Sequence, residues 1–244
     1  MAQNIYDDET FFKGYSALPR SERGLDGAPE WPSLKAMLPA LGHKNVTDLG
    51  CGFGWFAAHA AASGAASVIA YDISENMLAR AREINANPSI TYAQADLDQL
   101  TLTANSTDLV YSSLAFHYLS DLKRLFAEIS KALVAGGNLV FSVEHPMFTS
   151  PVTQGWVKDA HGERSWPINN YLNEGARSSD WLAQGVVKQH RTFTTYLNLL
   201  TANNFALTHA EEWGPTDAEL AANSALADER QRPTFLLISA RKNP

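Results

Sequence analysis

The run Asp48-Leu49-Gly50-Cys51-Gly52-Phe53-Gly54 constrains this chain more than any other segment. An apolar stretch, Asn45 to Leu49, leads into it, and an Ala-rich stretch from Trp55 to Ala62 follows. The pattern predicts a strand, a tight glycine turn and a helix. Glycines at alternate positions remove the Cβ atoms that would keep a ligand away from the backbone. Such a turn makes a cradle for an adenosine-bearing ligand. Asp48 puts a carboxylate at its mouth, which suits a ligand carrying positive charge and is awkward for a pyrophosphate.

The rest of the first 145 residues repeats this rhythm. Strands are predicted at Val46–Leu49, Ser67–Tyr71, Ile90–Ala93, Asp108–Ser112 and Asn138–Val143. The first helix starts at Gly54 and ends near Gly64. Ser74 is an N-cap for the next, in which Met77, Leu78, Ala81 and Ile84 recur at helical spacing. Ser120 is read as the cap of a third helix with a stripe of Leu122, Leu125, Phe126, Ile129 and Leu133, ended by Gly136-Gly137. Strands joined by helices imply an α/β fold with a doubly wound parallel sheet and right-handed crossovers.

Four segments follow. Residues 1–44 form an irregular, aromatic arm with one helix near Ser33–Leu41. Residues 45–145 form the ligand-binding core. Residues 146–190 lose all period and are too long for a plain connection, so they are read as a lid or substrate-binding insertion. In it Phe148, Trp156, Trp166, Tyr171 and Trp181 are available to build an apolar pocket. Residues 191–244 complete the core, with a helix around Phe193–Leu200, strands at Ala206–Trp213 and Thr234–Arg241, and a short acidic helix from Asp217 to Glu229.

A chain of 244 residues fits one such domain. Its net charge of −7 without a Lys/Arg cluster argues against nucleic acid or an anionic membrane as partner. The single cysteine, Cys51, has no partner for a disulfide, and no Cys/His cluster has zinc spacing, so no metal is expected. The acidic start lacks a signal-peptide pattern, and no apolar run reaches membrane-spanning length. A cytoplasmic protein is the default expectation.

In open parallel sheets ligands sit beyond the carboxyl ends of the strands. The residues to inspect are therefore the glycine turn, Asp72, Asp96-Leu97, Ser112-Ser113 and Glu144-His145. Asp72, about 20 residues beyond Gly52, is placed to bind a ribose hydroxyl pair. That suits NAD as well, and Gly52-Phe-Gly54-Trp-Phe-Ala57 matches the loose dinucleotide pattern. An NAD-dependent oxidoreductase leaves Asp48 and Asp96 without a task.

Val-Thr-Asp48-Leu-Gly-Cys-Gly-Phe-Gly54, Tyr-Asp72-Ile-Ser, Gln-Ala-Asp96-Leu and Asp-Leu-Val-Tyr-Ser112-Ser together resemble the class I S-adenosylmethionine-dependent methyltransferases, in particular bacterial small-molecule enzymes of the type 11 group. The resemblance covers residues 45–144. It implies a Rossmann-like, seven-stranded, mostly parallel sheet with an antiparallel last strand. It implies S-adenosylmethionine as cofactor, its methionine part held by Asp48 and the turn of Gly50, Cys51, Gly52 and Gly54, over Ser112 and Ser113. Asp72 would bind the ribose, Ile73 and Met77 would flank adenine, and Asp96 with Leu97 would take its edge. Tyr15 and Arg20 either fold over the cofactor or pack the arm.

The implied reaction is direct methyl transfer to a small-molecule substrate. A weakly acidic acceptor also needs a base. His145 and His117 follow strands 5 and 4 and are the candidates; each is otherwise a structural hydrogen-bonding residue. His190 and Arg191 are either anchors for a substrate carboxylate or a strut. Cys51 reads as a small filler. A non-catalytic cofactor-binding module is the remaining alternative. The Asn/Asp-Pro-Pro-Tyr/Phe run that often marks enzymes methylating base amino groups is replaced here by Ser112-Ser-Leu-Ala.

Overall fold

The five expected strands of the first half form as β1 (Asn45–Leu49), β2 (Ser67–Asp72), β3 (Ile90–Gln94), β4 (Thr107–Ser113) and β5 (Leu133–Glu144) in a computed structural model that describes residues 3–244. The insertion adds two short pairs, β6 (Val157–Lys158) with β7 (Arg164–Ser165), and β8 (Gly175–Trp181) with β9 (Ala183–His190). β10 (Phe205–Trp213) and β11 (Phe235–Lys242) close the chain.

The main sheet has seven strands in the order β10-β11-β5-β4-β1-β2-β3. β3, β2, β1, β4 and β5 are mutually parallel. The last strand, β11, is inserted between β5 and β10 and is antiparallel to both. Strand order reverses between β1 and β4, so a crevice opens above their carboxyl ends.

Both faces of the sheet are buried, and alternation along the strands explains how. Val110, Leu139, Phe141, Leu236 and Ile238 face one core; Leu109, Tyr111, Val140 and Leu237 face the other. The first core is covered by α6 (Leu122–Ala132) and α8 (Phe193–Ala202), the second by α3 (Trp31–Met37) and α4 (Trp55–Ala62). On α6 the buried residues are Leu122, Leu125, Phe126, Ile129 and Ala132, a single stripe at helical spacing.

Local details differ from expectation for physical reasons. Ser74 caps α5 (Glu75–Ile84) as predicted, accepting the Met77 N–H at 3.1 Å. Asp121, not Ser120, caps α6, while the Ser120 hydroxyl donates to Asp98 at 2.7 Å. Gly136-Gly137 does not end α6. The helix stops at Ala132 and the glycines lie inside β5, where pairing jumps from Thr107↔Leu133 to Leu109↔Asn138 and Gly136 takes φ +74°. The acidic helix is broken: α9 (Asp217–Ala222) and α10 (Asp228–Gln231) are separated at Asn223, whose extended backbone interrupts the turn.

The arm is more regular than predicted. Besides α3 it contains α1 (Glu9–Ser16), capped by Asp8, and α2 (Pro19–Glu22). It is pinned at two places. Asp7 accepts from the Ser74 hydroxyl at 2.5 Å and from the Asn76 N–H at 3.2 Å at the start of α5. Gln3 exchanges two hydrogen bonds with Gly185 and Val187 on the β8–β9 hairpin. α7 (Pro146–Thr149) opens the insertion. Among the described residues no helix is long and apolar enough to cross a membrane.

Candidate active site

A cavity of about 350 Å³ lies over the carboxyl ends of β1, β2, β4 and β5, with walls from the arm and the β8–β9 hairpin. It is lined by the β1–α4 turn, by Asp72, Ile73 and Met77 after β2, and by Leu97 after β3. Its walls also include His117 and Tyr118 after β4, Glu144 ending β5, Trp181 and Lys188 of the hairpin, and Tyr6, Tyr15 and Arg20 of the arm.

The glycine turn is held open by its own hydrogen bonds. Gly50 and Cys51 donate to the Tyr71 carbonyl at 2.8 and 2.9 Å, and Gly52 donates to Asp72 Oδ2 at 2.8 Å. Asp72 Oδ1 accepts from the Ser74 N–H at 3.0 Å. The three glycines have different tasks. A Cβ on Gly50 would sit 2.3 Å from the Ala115 Cβ, and one on Gly54 2.4 Å from the Tyr92 hydroxyl. A Cβ on Gly52, which lines the cavity, would meet no atom within 4 Å. Gly54 is not among the lining residues; it starts α4 in a left-handed conformation.

Asp48 is 1% exposed and its Oδ2 has no hydrogen-bond partner. Burial, and secondly the negative charge of Asp72, push its carboxyl well above the usual range. Burial also raises Asp72, against hydrogen bonds from Ser74, Gly52 and Ile73 that favour its charged form. An orphaned carboxylate beside a glycine cradle fits a ligand that brings positive charge and N–H donors. Stability carries the same signature. A carboxyl whose folded pKa lies above its unfolded value contributes at low pH, and that contribution is lost as pH rises through the folded value. Asp48→Asn removes the buried charge, so thermal denaturation at pH 8 is expected to show a melting temperature higher by about 2–5 °C, a gain that vanishes near pH 3. A lower melting temperature at both pH values would contradict this account of Asp48.

Several predicted residues lie outside the cavity. Ser112 is fully buried and donates to the Leu49 carbonyl at 2.7 Å, tying β4 to β1, whereas Ser113 does line the cavity. Asp96 is not a lining residue, although Leu97 beside it is. Its Oδ1 accepts from the Asp98 N–H at 2.9 Å and its Oδ2 is buried without a partner. His145 is turned away, because Nδ1 accepts from Met147 at 3.0 Å to cap α7 and Nε2 meets Glu212 at 2.9 Å. His190 is fully buried between Thr149 and the Tyr171 carbonyl, and Arg191 donates to the Leu119 and Ser120 carbonyls. These two form struts rather than a carboxylate anchor.

His117 is brought to the cavity. Its Nδ1 accepts the Glu144 N–H at 3.2 Å, which assigns the ring proton to Nε2. Burial, then the positive charges of Lys188 and Arg191, lower its pKa well below the ordinary value. The ring is thus neutral with its basic nitrogen already engaged. Phe148 and Trp181 reach the cavity; Trp156, Trp166 and Tyr171 do not. Instead Arg232 packs on Phe148 and Trp166, 4.5 and 4.4 Å from their ring centres. Cys51 lines the cavity, its thiol pushed well up by burial first and by Asp72 and Asp48 next.

Two ion pairs were missed from sequence. Lys188 Nζ bonds Glu144 Oε1 and lies 4.7 Å from the Trp181 ring centre. Arg20 meets the buried Glu30 with both terminal nitrogens, at 3.1 and 3.2 Å. Glu144 carried a signal, the end of strand 5, but Lys188 lies 44 residues later in a segment without period.

The comparisons agree with the geometry. Residues 47–141 match the model of a family described as a methyltransferase domain. A crystal structure of an S-adenosylmethionine-dependent methyltransferase from Mesorhizobium loti is 55% identical, covers 90% of this chain and all of its own, and superposes with a TM-score of 0.86. This chain belongs to the class I S-adenosylmethionine-dependent methyltransferases. An uncharacterized protein of Haemophilus influenzae is 32% identical over 98% of the methyltransferase and 97% of its own length. A malonyl-[acyl-carrier protein] O-methyltransferase of Pectobacterium atrosepticum is 33% identical over 125 residues, and the match spans about half of each chain, 51% of this one and 48% of the other. The cofactor of this methyltransferase is S-adenosylmethionine, and the NAD-dependent alternative is set aside. The cavity residues fit it: Asp48, with its orphaned oxygen, and Gly52, with open space where a Cβ would lie, both line the cavity.

Proposed function

We propose that this methyltransferase acts on a small-molecule acceptor held within the cavity. Gly50, Cys51 and Gly52 with Asp48 hold the methionine part of the cofactor, over Ser113. Asp72 takes the ribose, and Ile73, Met77 and Leu97 take the adenine. Bound there, S-adenosylmethionine supplies a methyl already activated by its sulfonium. The protein's task is to seat the acceptor in line with it and to keep water out. The arm (residues 3–44) and the insertion (146–190) form the roof that does so, with Tyr15 and Arg20 inside it.

The observation that carries this reading is that the arm and the β8–β9 hairpin, joined through Gln3, both contribute walls to the cavity over the strand ends. Calorimetry is expected to show one saturable site for S-adenosylmethionine and one for its demethylated product. Incubation with methyl-labelled cofactor and a fraction of cell extract below about 1 kDa is expected to give labelled small products. Label appearing only in protein or nucleic acid would refute a small-molecule acceptor.

A further inference from the structure

We propose that the cavity selects an amine as acceptor, seated with its nitrogen against Glu144 Oε2 and its apolar body against Trp181 and Tyr118. The proposal rests on the small-molecule reading above and names the substrate class for it. Three observations carry it.

Charge comes first. Among the described residues, the Lys and Arg side chains lining the cavity are Arg20 and Lys188, and each already faces a carboxylate. Arg20 donates to Glu30 Oε2 and lies 3.1 Å from its Oε1 as an ion pair, and Lys188 is committed to Glu144 Oε1 and packed on Trp181. A substrate carboxylate or phosphate entering here would meet no uncommitted cation, and burying an unmatched anion is costly.

Second, besides Asp48 Oδ2, assigned above to the cofactor, and Glu30 Oε1, which faces Arg20, the lining carboxylates leave Glu144 Oε2 buried without a hydrogen-bond partner. The other Glu144 oxygen is held by Lys188, which fixes the carboxyl in place; burial raises its pKa, and the Lys188 charge and hydrogen bond oppose that rise. Oε2 can accept from an N–H or an O–H and repels a carboxylate; of these only an amine also brings positive charge to pair with it, as the protonated base or as the methylated product.

Third, the walls are aromatic. Tyr6 and Tyr118 meet at their hydroxyls, 3.2 Å apart, with ring centres 5.9 Å apart. The Lys188 ammonium lies 4.7 Å from the Trp181 ring centre and 6.0 Å from that of Tyr118. These rings already pack on the Lys188 ammonium, so what they offer a substrate is apolar surface beside Glu144. The amine lone pair forms the new N–C bond while the S–C bond breaks and leaves its electrons on sulfur. The N–H proton then passes to Glu144 Oε2 and on to solvent.

The test titrates the protein, saturated with S-adenosylhomocysteine, with three matched probes: phenethylamine, 2-phenylethanol and 3-phenylpropanoate. The amine is expected to bind at least about tenfold more tightly than the alcohol, with no measurable heat from the carboxylate. Glu144→Gln is expected to weaken amine binding about tenfold or more, with S-adenosylhomocysteine affinity within twofold of wild type. Equal or tighter binding of alcohol or carboxylate, as an O-methyltransferase would require, overturns the proposal. So does S-adenosylhomocysteine binding with no amine binding. Failure of S-adenosylhomocysteine itself to bind refutes the cofactor-site reading instead, and this one with it. Should Glu144→Gln fail to fold by circular dichroism, the wild-type probe order still decides the question.

Discussion

Asp72→Ala is expected to abolish measurable S-adenosylmethionine binding, raising the dissociation constant at least about 100-fold. Two losses add. The proposed hydrogen bonds to the ribose are charge-assisted, and each is worth about 1.5–3 kcal/mol. The second loss is in the protein. Asp72 now accepts the Gly52 N–H at 2.8 Å and the Ser74 N–H at 3.0 Å, so it ties the glycine turn to the start of α5. Alanine leaves both donors without this partner and loosens the turn on which the methionine part would lie. Asp72→Asn keeps one side-chain acceptor and removes the charge, so it should fall between wild type and alanine. Removing the charge also relieves Asp48, whose pKa Asp72 helps to raise. The melting temperature of Asp72→Asn should therefore change little while binding drops. Calorimetry and thermal denaturation on both variants separate these effects. An Asp72→Ala protein that binds the cofactor within threefold of wild type would show that this carboxylate serves only the turn.

The parts of the molecule that depend on local pattern were readable from the chain. β1 to β5, the Ser74 cap and the α6 stripe all rest on spacing within one element, and such spacing is written in consecutive residues. The placement of Asp48, Asp72 and Leu97 at the cavity followed from a rule about strand ends. That rule fixes position along the strand, not the direction of a side chain. Ser112 and Ser113 show the limit: adjacent residues at one strand end point to opposite sides, so one ties β4 to β1 and the other lines the cavity. Glu144 and His145 repeat the lesson. The sequence favoured the histidine for its chemistry, but pleating sends Glu144 to the cavity and His145 to the cap of α7.

The β8–β9 hairpin escaped notice for another reason. Its turn carries Leu182 at φ +61°, where glycine or asparagine would have announced a reversal. Lys188 was hidden with it. The arm looked irregular because its helices are short and interrupted by Pro19 and Gly24. Its role as a wall depends on contacts with α5 and the hairpin, which are distant in sequence.

Gly52→Ala and Gly50→Ala are expected to fail in different ways, and the contrast tests where the cofactor sits by binding and melting measurements alone. Both residues have positive φ, +53° and +79°, so alanine at either costs about 1–2 kcal/mol of backbone strain. At Gly52 nothing in the protein obstructs the added methyl. The variant should fold, with a melting temperature lower by about 2–6 °C. The methyl then projects where the ligand must approach the backbone, so the dissociation constant of S-adenosylmethionine should rise at least about 100-fold. At Gly50 the methyl would lie 2.3 Å from the Ala115 Cβ, and neither atom belongs to a side chain that can swing away. Overpacking of that kind adds about 1–3 kcal/mol to the strain, for a fall of roughly 6–15 °C or loss of soluble protein. Any weakened binding at Gly50 is therefore mixed with loss of structure, whereas at Gly52 it reports the ligand alone. A well-folded Gly52→Ala protein with wild-type affinity would place the cofactor elsewhere than on this turn.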